Sequence, residues 1–345
     1  MNATFKLAAF AVTVLAGNCV SQTISGSIDR PIIDRWNYPF ASQPGTEPTV
    51  PVFAALRQTG FDDRDALFLL TFDSAGLVPP GLGAERYIVR GVTVTAWISA
   101  EDRFEYDPTF DAVATSFDSA DPDYRPDADA GKPVELFGAA YRAGWTSLVY
   151  TESSPFSPFP PFPPQEGVRN VYAAVFDEAG VPTDIGRQVR QKFEAMPMAI
   201  GVNSSLTPGQ LVPAGTPLRF DVNLSDGATH AYWARAFNTG RLPFIITGLH
   251  PASGGPGGGT GEASYPAFFT KENVTAEFAG YIAGLAFDVV VYPGADFNMD
   301  GGVDGSDVEA FFRAWEAGQD EADFNVDGGV DGGDVEAFFV AWEQG

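Results

Sequence analysis

Residues near the C-terminus have the types and spacing to hold divalent cations. Residues 296–318 read DFNMDGGVDGSDVEAFFRAWEAG and residues 323–345 read DFNVDGGVDGGDVEAFFVAWEQG, identical at 19 of 23 positions with a period of 27. Each copy sets oxygen side chains at loop positions one, three, five, nine and twelve. These are Asp296, Asn298, Asp300, Asp304 and Asp307, then Asp323, Asn325, Asp327, Asp331 and Asp334. Position seven, Gly302 and Gly329, offers a backbone carbonyl. Hard oxygen donors at this spacing suit calcium, one Ca2+ per loop and two in all. Gly301 and Gly328 at position six tolerate the positive φ of the sharp turn. The usual EF-hand closes with Glu; here Asp307 and Asp334 do so with a shorter carboxylate. Val303 and Val330 at position eight are expected to point inward and to pair as a short β-bridge.

The elements that must position these ligands are two helices. Val308, Phe311, Phe312 and Trp315 recur at spacings three, four and seven, as do Val335, Phe338, Phe339 and Trp342, so each loop leads into one amphipathic helix. No amphipathic helix precedes either loop. A half EF-hand used twice resembles the dockerin domain of cellulosome-type secreted proteins, over residues 296–345. The resemblance implies a calcium-folded module that docks to a cohesin-like partner or attaches the protein at the cell surface. Cohesin-binding dockerins commonly carry Ser or Thr at loop positions ten and eleven and basic residues early in the helix. Here stand Gly305-Ser306 and Gly332-Gly333, then Phe312-Arg313 and Phe339-Val340, a pattern that departs from standard cohesin contacts.

The loops also explain where the charge lies. The chain of 345 residues carries a formal charge of −25, and residues 296–345 hold 14 acidic residues against Arg313 alone. Half of the excess therefore sits in one seventh of the chain. A chain so acidic lacks the basic stripe that nucleic acid or an anionic membrane surface requires. Hydrophobic content of 45% is that of a globular protein, so the acidity does not signal disorder.

At the N-terminus, Lys6 precedes an apolar stretch from Leu7 to Gly17 and small residues at Cys19 and Ser21. This is the pattern of a secretory signal peptide over residues 1–21, too short to span a bilayer and cleaved before Gln22. Cleavage predicts a secreted or cell-surface protein with no membrane insertion. It also removes Cys19, the only cysteine, so no disulfide, thiol nucleophile or cysteine metal site is expected.

Between the ends, residues 26–293 alternate short apolar runs with Gly, Pro and Asp. Strands are predicted over 66–72 (ALFLLTF), 89–98 (VRGVTVTAWI), 134–137, 172–176, 218–224, 244–249, 267–269 and 285–292. Ile185, Val189 and Phe193 predict one short helix over 184–196, ended by Pro197. The fold class expected is all-β, a jelly-roll-like β-sandwich followed by the small α-helical dockerin-like calcium-binding module. Residues 64–73 with 88–96, and residues 268–273 with 286–292, resemble the opening and closing strands of the disaggregatase-related (DNRLRE) β-sandwich family. That resemblance covers about a third of the body and implies an exported jelly-roll module, polysaccharide-binding in some relatives. Residues 153–164 (SSPFSPFPPFPP) form a stiff loop whose Phe side chains are expected to pack, and residues 253–261 (SGGPGGGTG) a flexible connection.

No catalytic residue can be named from this sequence. Asp62, Asp63 and Asp65, and Glu101, Asp102 and Glu105, are abundant carboxylates, read as solvated turns or, for the first group, strand-edge acceptors, because no spacing marks an acid and its partner. His230 and His250 are read as satisfied structural histidines. Trp36, Tyr38, Trp97, Tyr124, Trp145, Tyr232 and Trp233 are candidates for stacking on sugar rings. Trp97 follows the alternation of Val92 and Val94, which predicts burial. The function expected is that of a non-catalytic, glycan-associated protein attached through its calcium module. A dockerin-bearing polysaccharide hydrolase or lyase and a structural envelope protein are the alternatives.

Overall fold

Arg64–Asp73 reads RDALFLLTFD and is buried at every position but the last. A strand that shows water neither face has no polar alternation, so it belongs inside a layered structure. The computed structural model describes residues 21–253, 261–325 and 329–344; the signal segment, most of the 253–261 connection, Asp327 and Gly328 lie outside them. The chain forms two compact units, Thr23–Val291 and a smaller one holding Tyr292–Gly345.

The larger unit is built from β1 (Gln22–Ile28), β2 (Ile33–Asn37), β3 (Thr49–Pro51), β4 (Phe53–Ala54), β5 (Arg64–Asp73), β6 (Tyr87–Trp97) and β7 (Val134–Tyr141). There follow β8 (Val171–Phe176), β9 (Pro182–Asp184), β10 (Ala199–Ile200), β11 (Pro217–Asp221), β12 (Arg241–Gly248), β13 (Ala267–Phe269) and β14 (Gly284–Val291). One sheet has the order β1-β14-β6-β11; the other runs β2-β5-β12-β7-β8-β9, with β4 on β5 and β10 on β7. The pairings of β5 with β12, β12 with β7, and β6 with β14 and β11 are antiparallel. The chain is thus mostly β.

Side-chain parity assigns the layers. Phe68, Leu70 and Phe72 of β5, Phe244 and Ile246 of β12, and Leu136 of β7 meet Val92, Val94, Leu285 and Phe287 of the four-stranded sheet in one core. The opposite parity, Leu67, Leu69, Phe137 and Ile245, forms a second cluster closed by Tyr150, Ile185 and Ala195. The larger sheet is therefore covered on both faces, which accounts for the unbroken apolar reading of β5.

Among the described residues three α-helices interrupt the strands: α1 (Gln188–Gln191), α2 (Gly227–Thr239) and α3 (Val274–Ala279). The helix expected over 184–196 is only the single turn of α1; Lys192 turns left-handed at φ 52° and stops it. The strand expected over 218–224 ends at Asp221, and residues 226–240 hold a helix that the sequence reading did not include. Asp226 caps α2 by accepting from the Thr229 N–H, and Gly240 ends it at φ 69°. Trp233 and Phe237 of α2 are fully buried in the shared core.

The smaller unit holds α4 (Gly305–Glu316) and α5 (Gly332–Gln344), the two helices that the repeat predicts. Phe311 and Phe338 are fully buried among Phe297, Phe324, Val308 and Val335. Among the described residues no β-bridge joins Val303 to Val330; the repeats are tied by other bonds.

Candidate functional site

Two sites stand out, one in each unit. In the smaller unit each loop is folded around its own carboxylates. Asp296 at position one is buried, and its Oδ2 accepts from the Gly301 N–H at 3.1 Å. Gly301 sits at φ 98°, where a side chain would be strained. Asp307 at position twelve is buried; its Oδ1 accepts from the Asn298 N–H at 3.0 Å and its Oδ2 from the Asp304 N–H at 2.8 Å. The second loop repeats this: Asp334 accepts from Asn325 N–H at 3.0 Å and from Asp331 N–H at 2.7 Å.

Position nine does a different job. Asp304 caps α4, accepting from the Ser306 N–H at 2.7 Å, and bonds from the Ser306 backbone and hydroxyl hold its carboxyl below the usual range. Asn298 donates to Asp300 at 3.0 Å. The described side chains at these positions offer oxygen, and Gly301 makes the sharp turn of the first loop, so the donor set fits a hard divalent cation. Within the first loop the carboxylates are spaced by the N–H groups they accept from. Three carboxylates come within 4.8 Å of one another elsewhere, at Asp34, Glu152 and Glu272 and at Asp107, Asp111 and Asp129.

The repeats are related by a reciprocal clasp. Trp315 Nε1 donates to the Asp331 carbonyl at 2.7 Å, and Trp342 Nε1 to the Asp304 carbonyl at 3.3 Å. Each tryptophan thus reaches from its own helix to position nine of the other loop.

In the larger unit, the outer face of the four-stranded sheet carries a groove of about 670 Å3, lined by Arg30, Thr93, Thr95, Trp97, Arg219 and Glu277 among others. Trp97 is half-buried and stacks on Tyr281, ring centroids 4.6 Å apart. This corrects the expectation of burial: Val92, Val94 and Ala96 face the core, and Trp97 shares the opposite parity with Thr93 and Thr95. Arg219 forks onto Asp221, Nη2 to Oδ1 at 2.7 Å, and Thr93 donates to the same oxygen at 2.7 Å. These two bonds hold Asp221 below the usual carboxylate range. Arg30 pairs with Glu277. Tyr281, Arg219 and Asp221 were not among the sequence candidates, although Arg219 and Asp221 lie two apart on a strand and so on one face.

The other candidates fall elsewhere. Tyr38, Tyr232 and Trp233 are buried, and Trp36 stacks on Tyr38 at 4.6 Å. Trp145 stands edge-on to Tyr150 in the second cluster, and Tyr124 is half-buried in a turn. Phe156 packs under the Arg169 guanidinium, whereas Phe159 and Phe162 are exposed, against the expectation that the proline loop packs its Phe side chains.

Asp62, Asp63 and Asp65 are not solvated. Arg169 Nε meets Asp62 Oδ2 at 2.8 Å and Nη2 meets Asp65 Oδ1 at 3.1 Å, all three residues buried. Arg190 Nε meets Asp63 at 2.9 Å. Buried acids need paired cations, and these arginines supply them. Asp65 is still pushed up to about 7 by burial, with Arg169 opposing. Glu101 lies exposed in a turn and accepts from the Ala214 N–H. His230 lies in α2, its Nε2 accepting from the Val89 N–H of β6 at 3.2 Å. His250 is buried edge-on to Phe104, pushed down to about 3 by burial and by Lys132 and Arg64. Neither of its ring nitrogens has a hydrogen-bond partner among the described residues, against the expectation of a satisfied histidine.

In comparison with known proteins, no family model matches the chain, and no curated protein and no solved structure matches it.

Proposed function

We propose that this chain is an exported binding protein: a jelly-roll β-sandwich that holds a glycan, attached to a partner or the cell envelope by a dockerin-like module that folds around two Ca2+. The observation that carries the reading is the reciprocal clasp of Trp315 on Asp331 and Trp342 on Asp304. It makes two half EF-hands into one body whose loops lie at equivalent places, as a module with two coupled cation sites requires.

Strand order supports the jelly roll. Taken in chain order, β1, β5, β6, β7, β8, β11, β12 and β14 fall as first-eighth-third-sixth in one sheet and second-seventh-fourth-fifth in the other, the arrangement of two Greek keys. The DNRLRE resemblance over β5 with β6, and over residues 268–273 with β14, agrees with it. The groove supports glycan binding. An aromatic face at Trp97 suits the C–H face of a pyranose, and Arg219, Asp221 and Thr93 offer hydroxyl partners. Its acid Glu277 is engaged by Arg30, which favours binding over general acid catalysis.

Electrophoresis of the full chain through gels cast with plant or algal polysaccharides, with Ca2+ present, tests the proposal. Retardation that disappears in Trp97→Ala, without new reducing ends, is the expected result. New reducing ends or unsaturated products would replace this reading with that of a hydrolase or lyase.

A further inference from the structure

The larger unit contains a second acidic constellation, remote in sequence from the C-terminal repeats. Asp107 and Asp111 come from one loop and Asp129 from another, each with a carboxylate oxygen within 4.8 Å of the others. Asp107 is 3% exposed; its Oδ1 accepts from the Thr109 N–H at 2.8 Å and hydroxyl at 2.7 Å. Its Oδ2 is buried and among the described residues has no hydrogen-bond partner. The Asp111 side chain is 8% exposed and its Oδ2 is also without one, with Lys132 Nζ at 3.8 Å. Lys132 also lies 3.7 Å from Asp127. One ammonium therefore serves four carboxylates, and it reaches only two of them within 4 Å.

The two loops are built to meet. Gly131 sits at φ 98°, and a Cβ there would come within 2.8 Å of the Glu105 carbonyl oxygen and 3.1 Å of Asp107 Cβ. Any other residue would push the 127–132 loop off the 105–111 loop. A close approach that brings like charges together, and leaves a buried carboxylate oxygen unsatisfied, calls for a compensating cation.

We propose that Asp107, Asp111 and Asp129 form a third calcium site, which fastens these two loops of the sandwich. The donors are all carboxylate oxygens, with the Thr109 hydroxyl beside them and no imidazole or thiolate in the group, and this favours a hard divalent ion over zinc or copper. The Asp34 group differs in having Lys271 in contact with both Asp34 and Glu152, so its cation is already present in the chain.

Equilibrium dialysis of the full chain against radioactive Ca2+ tests the site, comparing the natural sequence with Asp107→Asn/Asp129→Asn. The C-terminal loops are the same in both, so the difference reads this site whatever the loops bind. The expected result is one Ca2+ fewer per chain in the variant. Equal binding overturns the proposal, as carboxylates that share protons instead of a cation would give. Should the double variant lose its near-ultraviolet circular dichroism, Asp129→Asn alone, at an exposed residue, is the second arm. It is expected to weaken one class of Ca2+ binding about tenfold or more, and unchanged affinity in every class overturns the proposal.

Discussion

The rings of Phe311 and Phe338 lie face to face, centroids 4.2 Å apart and planes within 1°. These residues occupy the same position in the two repeats, so the pair sits on the local symmetry axis, with the tryptophan clasp on either side of it. Replacing Phe338 by Ala opens a cavity at the one place where both repeats share a core. It should cost about 3–5 kcal/mol, more than a unit of this size can lose and remain folded. Helical circular dichroism should fall while the sandwich keeps its unfolding transition; retained helix would contradict a shared core.

Calcium removal should act on the same unit. Without cations the carboxylates of each loop repel, and two short helices bury little apolar surface. Excess chelator is expected to unfold residues 296–345 and to leave the strands of the sandwich folded, with only the 105–111 and 127–132 loops loosened. Far-ultraviolet circular dichroism with unchanged helix content would sink this prediction.

Arg169 is the cation for Asp62 and Asp65 inside the larger unit. Arg169→Met leaves those acids buried without their partner and should destabilise the sandwich by about 3–5 kcal/mol. The loss, read by urea unfolding, should be larger at pH 8 than at pH 5.5, because Asp65 takes up a proton at about 7. Equal losses at both pH values would be inconsistent with this account.

Asp65 and Asp34 make the stability of the natural chain pH-dependent as well. Burial pushes Asp34 up to about 7, with Lys271 opposing, as burial does Asp65. Both raised values lie above the unfolded value near 4. Between about 4 and 7 the folded state therefore binds more protons, and this contribution to stability is lost as pH rises through 7. The urea midpoint of the sandwich should fall from pH 5.5 to pH 8, with a shallower slope in Asp34→Asn. A midpoint that rises over this range, or a slope unaltered in Asp34→Asn, would contradict the assignment.

Trp97 lies half-buried on an outer face, so Trp97→Ala should remove polysaccharide retention and move the urea midpoint little. A loss of stability as large as that for Arg169→Met would mark it as a core residue instead.

The strands with unbroken apolar runs were legible because burial on both faces leaves no polar residue to confuse the pattern. The helix α2 was not read although Asp226 and Gly240 bound it, because its alanines and aromatics resemble strand composition until their 3.6 period is counted. The fate of Asp62 and Asp65 was not legible, because Arg169 is distant in sequence and nothing local announces the pairing. The Asp107 cluster is similar: two loops contribute, and only Gly131 at the end of Asp127-Ala-Asp129-Ala hints at a tight approach. Trp97 depended on parity alone, and one residue of register separates a core ring from a surface ring.

The first strand of the sandwich, β1, lies beside the last, β14. Until Gly284–Val291 has been made, Gln22–Ile28 has no neighbour, and β6 lacks the partner on that side. A partly synthesised chain cannot complete this sheet, and long-range pairing of this sort folds late. A product truncated before β14 would present two open strand edges, and such a fragment should aggregate rather than persist as a smaller domain.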